Sequence, residues 1–114
     1  LAVKAFARAD AARFRLRDEM RASAIAAMAD PDKATFIEAG ALHLYLGRMI
    51  HQQFSDAMTV NHLHLTRCSR KNSQTAMSHI YGPGDLLTLF YIFHPSKKNS
   101  GWENLMAARS LIHS

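Results

Sequence analysis

Large apolar residues recur through the first 29 positions at helical spacing. Val3, Phe6, Phe14, Leu16, Met20, Ile25 and Met28 fall within about half of a wheel drawn at 3.6 residues per turn. Most positions between them are Ala or Arg, both strong helix formers. The pattern predicts one long helix over residues 1–29. Asp10, Arg13, Arg17 and Arg21 project into or near the apolar stripe. Arginine can lay its stem over apolar surface while its head reaches water, so such a helix suits several neighbours rather than one core.

Asp30-Pro31-Asp32 is the clearest punctuation. Asp suits an N-cap, Pro suits the first helical position, and a second Asp complements the positive end of the helix dipole. A second helix is predicted over residues 31–58. Its stretch from Phe36 to Ile50 is apolar on nearly every side, which predicts a buried helix. Phe36, Gly40, Leu42, Leu46, Gly47 and Ile50 are its expected packing interface. Gly40 and Gly47 lie two turns apart on one face. Each costs about 1 kcal/mol relative to Ala, which close approach of another backbone would offset; plain tolerance is the alternative.

Beyond Thr59 the period changes to two. Residues 61–68 alternate as a short strand would, with Leu63 and Leu65 inward. Residues 69–75 form a polar, basic loop. Tyr81-Gly82-Pro83-Gly84-Asp85 is a breaker. Residues 86–93 suit a strand or a helix, and Asp85 as a cap favours the helix. A second basic loop over 94–99 precedes Ser100-Gly101-Trp102-Glu103, a capping-box pattern. It predicts a last helix over 101–112, packed through Trp102, Leu105, Met106, Leu111 and Ile112. The expected fold is a single small domain over residues 1–114, mainly α. It has a long N-terminal helix, a central apolar helix and a short C-terminal helix, with an irregular or short-strand segment at about 60–93.

Composition narrows the classes. With 48% hydrophobic and 20% charged residues, the chain is not a disordered tail. The single Cys68 allows no intramolecular disulfide, which favours a reducing compartment inside a cell, organelle or virus. No apolar run reaches the ~20 residues of a spanning helix, so no transmembrane helix is predicted. The first residue is Leu1, as after removal of a leader or a truncation. Residues 1–28 are Ala- and Arg-rich like a transit peptide, but Asp10, Asp18 and Glu19 argue against that, since transit peptides are poor in acids.

The formal charge is +5. Through Val60 eight Lys and Arg face seven Asp and Glu; from Asn61 onward six face two. The basic character sits in the second half. Arg67, Arg70, Lys71, Lys97 and Lys98 are the expected contacts to an anionic partner, whether nucleic acid, anionic lipid or an acidic protein surface.

Catalytic and metal chemistry find little support. His62 and His64 would share a strand face about 6–7 Å apart, close enough for one metal ion. Cys68 would lie about 13 Å beyond His64 in that strand, too far for the same ion. No regular structure unites the three, so His62 and His64 stand only as weak metal candidates. No metal or other cofactor is expected. His43 and His51 are two helical turns apart and cannot chelate one ion alone. His43 reads as a packed core or interface histidine rather than a catalytic base. Gly82-Pro83-Gly84 matches no phosphate loop, and no Gly-x-Ser-x-Gly elbow occurs.

The expectation is therefore a non-catalytic accessory subunit of a larger protein assembly, in a mitochondrial respiratory-chain or ATP-synthase setting. The alternatives are a basic nucleic-acid-binding protein, such as an organellar ribosomal protein, and a small enzyme using a metal or the Cys and His residues.

Overall fold

The computed structural model describes residues 2–54, 56, 58–64 and 81–113. Among them are four helices and no strand: α1 (Ala2–Met28), α2 (Leu44–Phe54), α3 (Pro83–Phe93) and α4 (Ser100–His113). The mainly α class follows the apolar periodicity and the high helix propensity of the first and last segments. The chain divides into two compact units. One comprises residues 1–12 and 63–114, the other residues 13–62.

α1 begins and ends where its composition predicts, but its buried stripe is not the expected one. Ala7, Ala11, Asp18 and Ala22 are buried, while Phe6, Leu16, Met20 and Met28 are exposed. The spacing of the buried positions (7, 11, 18, 22) follows the helical repeat. Small side chains let a helix approach its neighbours closely, so alanines rather than the larger apolar residues line the covered side.

The predicted second helix is shorter than expected. The Asp30 side chain accepts the Asp32 amide at 2.9 Å, and the Lys33 amide bonds the Asp30 carbonyl at 3.1 Å. The cap bond forms, but only one turn follows. Residues 34–40 are not helical and are exposed throughout, and Phe36 is 94% exposed. The β-branched Thr35 and Ile37 and then Gly40 all weaken helix propagation. The helix restarts at Leu44, so Phe36, Gly40 and Leu42 lie outside it. In α2, Leu46 and Ile50 join Ala22 of α1 in the core of the second unit, with Ile25, Met49, Phe54 and Val60 packed against it.

Gly47 does sit at a close approach, but to a side chain rather than a backbone. A Cβ added there would lie 2.6 Å from Cε1 of His62. Residues 61–64 adopt no regular structure and Leu63 is 71% exposed, so the expected strand is absent there. Period-two alternation over four residues, with no described partner strand, leaves their backbone groups to water. The rest of that strand and the basic loop at 69–75 lie outside the described residues.

In the first unit α3 and α4 pack against each other. They run antiparallel: Gly84 faces Ser110, where an added Cβ would meet Oγ at 3.0 Å, and Phe90 meets Trp102 at 5.1 Å between ring centroids. Leu87, Ile92 and Met106 are buried in this unit. α3 starts two residues before the expected cap. Pro83 is its first residue, and Asp85 in the first turn accepts the Gly82 amide at 3.1 Å. At α4 the capping box moves one residue upstream. Asn99 Oδ1 accepts the Trp102 amide at 3.4 Å and Glu103 Oε2 accepts the Asn99 amide at 2.8 Å. Met106 is buried as expected, whereas Leu105, Leu111 and Ile112 are exposed.

Candidate functional site

Within the second unit, α1, the segment before α2 and α2 itself enclose an open cleft of about 420 Å³. Ala24, Ile25, Met28, Ile37 and Leu46 give it apolar walls, and Arg21, Glu38 and His43 supply its charged and polar groups. The volume lies within the range of small-molecule sites.

The polar end of the cleft is built on Asp18, which has no solvent exposure. Its Oδ1 lies 2.9 Å from His43 Nδ1 and 3.6 Å from an Arg21 guanidinium nitrogen. An ionised carboxylate only accepts, so the imidazole presents Nδ1–H to Asp18 and leaves Nε2 at its other end. Arg21 also stands 3.4 Å from that Nδ1. With the Nδ1 proton given to Asp18, this approach is proximity and not a hydrogen bond. Asp18 Oδ2 is buried without a hydrogen-bond partner among the described residues. A desolvated carboxylate needs positive charge or hydrogen-bond donors nearby; Arg21 supplies the charge and His43 a donor. Phe14 packs on the His43 ring at 5.3 Å between centroids, fixing its plane from the side.

An imidazole oriented by a buried carboxylate can bind an anion or transfer a proton. Among the described residues the cleft lining contains no Ser, Thr, Cys, Lys or Tyr that could act as a nucleophile beside it. What the arrangement offers chemically is a guanidinium and an imidazole gathered around one buried carboxylate at one end of an apolar trough, with Glu38 also in its lining.

A second polar cluster lies in the first unit. Glu103 is buried; its Oε1 accepts the Tyr91 hydroxyl at 2.6 Å and pairs with Arg8 at 3.2 Å. The Arg8 guanidinium lies 4.8 Å from the Tyr91 ring centroid. The Tyr91 hydrogen bond, with help from the Asn99 amide and Arg8, holds the Glu103 carboxyl below its ordinary range despite burial. Burial, then the bond to Glu103, pushes the Tyr91 phenol up to about 12. A similar pair ties α1 to α2: the Tyr45 hydroxyl donates to Glu19 at 2.8 Å, with Arg15 5.3 Å from the ring centroid. Burial and that bond raise the Tyr45 phenol. Both clusters join helices.

His62 covers Gly47 and lies 6.3 Å from His51 between ring centroids, while His64 is exposed. Among the described residues no three His, Cys, Asp or Glu side chains gather as metal ligands would. Lys97 and Lys98 are exposed between α3 and α4. Arg67, Cys68, Arg70 and Lys71 lie outside the described residues. Of the expected packing positions, Leu46 and Ile50 are buried, Leu42 and Gly47 are half-buried, and Phe36 and Gly40 are exposed.

The Asp18–His43 pair was not visible in the apolar pattern, because 25 positions separate its members. The available signal was the small-residue stripe Ala7, Ala11, Ala22, in which Asp18 stands as the one acid.

No helix among the described residues is long and apolar enough to cross a membrane. No protein-family model, curated protein or solved structure matches the chain.

Proposed function

We propose that the chain is a non-catalytic accessory subunit that docks into a larger protein assembly. The observation that carries this reading is the inverted apolar surface of α1. Ala7, Ala11 and Ala22 are covered while Leu16 and Met20 are 60% and 64% exposed, one turn apart on the same side. Arg13 and Arg17 are exposed beside them. Isolated apolar side chains on a surface mean little, but paired ones on one helix face with an exposed arginine on one flank suit a partner with an apolar groove and an acidic edge. Phe36, almost wholly exposed in the segment before α2, adds a further apolar contact in the same unit. The mitochondrial respiratory-chain or ATP-synthase setting belongs to the proposal and is supported by the basic, Ala- and Arg-rich composition alone.

The test is purification of the tagged chain from its own cells, alone and as the double variant Leu16→Glu/Met20→Glu. The expected result is a stoichiometric protein partner with the natural chain and its loss with the variant, whose helical circular dichroism is unchanged. A monodisperse, cooperatively folded natural chain with no stoichiometric partner would overturn the reading, as would a variant that keeps its partner. Recovery of nucleic acid in place of protein, released by added salt, would favour the nucleic-acid alternative.

A further inference from the structure

We propose that α1 pairs antiparallel with α1 of a second copy of this chain, through a heptad seam on its uncovered side. The inference rests on the reading of that face as a docking surface and names its partner; the assembly then takes up the chain as a pair.

The seam lies in the spacing of exposed positions. Ala2, Phe6, Ala9, Arg13, Leu16, Met20, Ser23 and Ala27 follow one another at alternating steps of four and three, and every one is exposed. That is the a/d repeat of a coiled coil, kept along one helix of 27 residues. Phe6, Leu16 and Met20 all lie in it; the other large apolar residue that α1 exposes, Met28, ends the helix. A seam of this period suits another helix, whose side chains leave holes at the same spacing.

Two properties of the seam point to a copy of α1 turned end for end. The first is volume. With the ends matched, Ala2 meets Ala27 of the second copy, Phe6 meets Ser23, Ala9 meets Met20 and Arg13 meets Leu16. Phe6 and Met20 each face a small residue, and the Arg13 stem can lie over Leu16 while its head reaches water. A parallel pair would stack Phe6 on Phe6, Met20 on Met20 and Arg13 on Arg13, and would leave Ala9 facing Ala9 across a gap.

The second property is charge. In an antiparallel pair each flank of the seam meets the same flank of the other helix. One flank carries Val3, Asp10, Arg17 and Ala24, so Asp10 meets Arg17 of the second copy and Arg17 meets its Asp10. The other carries Ala5, Ala12, Glu19 and Ala26, where Glu19 meets Ala12. Sliding the helices by one heptad either way sets Arg17 against Arg17 or Asp10 against Asp10, so charge fixes the register. Arg17 is exposed; Asp10 is half-buried and also interacts within its own chain, and a carboxylate can accept from more than one donor.

The experiment is sedimentation equilibrium of the full chain, natural and with charge reversals on the flank. The natural chain should sediment as a dimer at about 100 μM. Asp10→Arg and Arg17→Asp, each alone, set like charges across both contacts and should weaken the dimer by about tenfold or more. An equimolar mixture of the two variants restores opposite charges at both contacts and should pair as the natural chain does. In a Cys68→Ser background, Ala9→Cys should cross-link to Met20→Cys in preference to itself. A natural chain that stays monomeric, single reversals without effect, a mixture that pairs no better than its parts, or cross-linking of Ala9→Cys to itself would overturn the proposal. If a reversal unfolds the chain, as read by helical circular dichroism, the natural chain and the cysteine pair still decide. The subunit reading fails separately. A dimer that recovers no other stoichiometric protein from cells overturns that reading and keeps this one. A monomer that recovers a different protein through Leu16 and Met20 does the reverse.

Discussion

Glu103 concentrates several interactions: a hydroxyl, a backbone amide and a guanidinium all converge on one buried carboxylate. Hydrogen bonds to a charged group are worth about 1.5–3 kcal/mol each, and leaving a buried donor unpaired costs about as much. Glu103→Ala should therefore lower stability by about 2–4 kcal/mol, read as a fall in denaturant midpoint at constant slope. Glu103→Gln keeps the shape but loses the charge, and should cost less. The acid limb carries a second signature. The folded carboxyl lies below the ordinary 4.5, so its contribution is complete above that value and is lost as pH falls through the depressed folded value. Thermal melts from pH 6 down to pH 2 should show a steeper loss for the natural chain than for Glu103→Gln. Parallel curves would remove Glu103 from the account. Tyr91 behaves oppositely: its raised phenol gives stability that is complete below 10 and lost as pH rises through about 12.

At the scale of elements, burial separates positions that looked alike in the sequence. Leu46 and Phe36 both belong to the apolar run before and within α2, yet Leu46 is buried in the core and Phe36 is in water. Leu46→Ala should cost about 2–5 kcal/mol, whereas Phe36→Ser should change stability of the isolated chain by about 0.5 kcal/mol or less. Equal losses at both sites would mean that residues 34–40 pack as the all-helical pattern suggested. Gly47 gives a sharper test. Alanine there gains about 1 kcal/mol of helix propensity but displaces His62. Gly47→Ala should thus stabilise α2 more in a His62→Ala background than alone, a coupling that a double-mutant cycle reads directly.

These contrasts mark what the sequence carried. The helix-rich composition at α1 and the capping pattern at α4 made both helices legible within a residue or two, because propensity and capping are local. The central helix was not, because Asp30-Pro31 forms a proper cap whether or not a helix follows, and Thr35, Ile37 and Gly40 end it. The α1 face was misjudged because hydrophobicity ranks Leu and Met above Ala, while close helix approach ranks them in reverse. The Asp18–His43–Arg21 group depends on chain positions far apart, and no spacing rule unites them. The basic surplus was legible as charge, but charge alone does not say what, if anything, meets it.

For the molecule as a whole, exposed apolar side chains and a net charge of +5 are two association forces with opposite responses to salt. Screening shortens the Debye length to ~3 Å at 1 M, so contacts through Arg70, Lys71, Lys97 and Lys98 should weaken as ionic strength rises. Contacts through Leu16 and Met20 should persist, and sulfate should strengthen them. Replacing the four basic residues with Gln should lower affinity for an anionic partner, flatten its salt dependence and leave the fold intact. If the partner is nucleic acid, the fall in affinity should be large and the salt slope visibly shallower, because fewer counterions are released. If it is a protein subunit, docking should slow while its apolar part survives, since long-range charge acts mainly on the rate of encounter. The Leu16→Glu/Met20→Glu variant should show the complementary pattern, with affinity lost at every salt concentration. A quadruple variant with unchanged affinity and unchanged salt dependence would leave the basic surplus as solvated surface, with association resting on the apolar face of α1 alone.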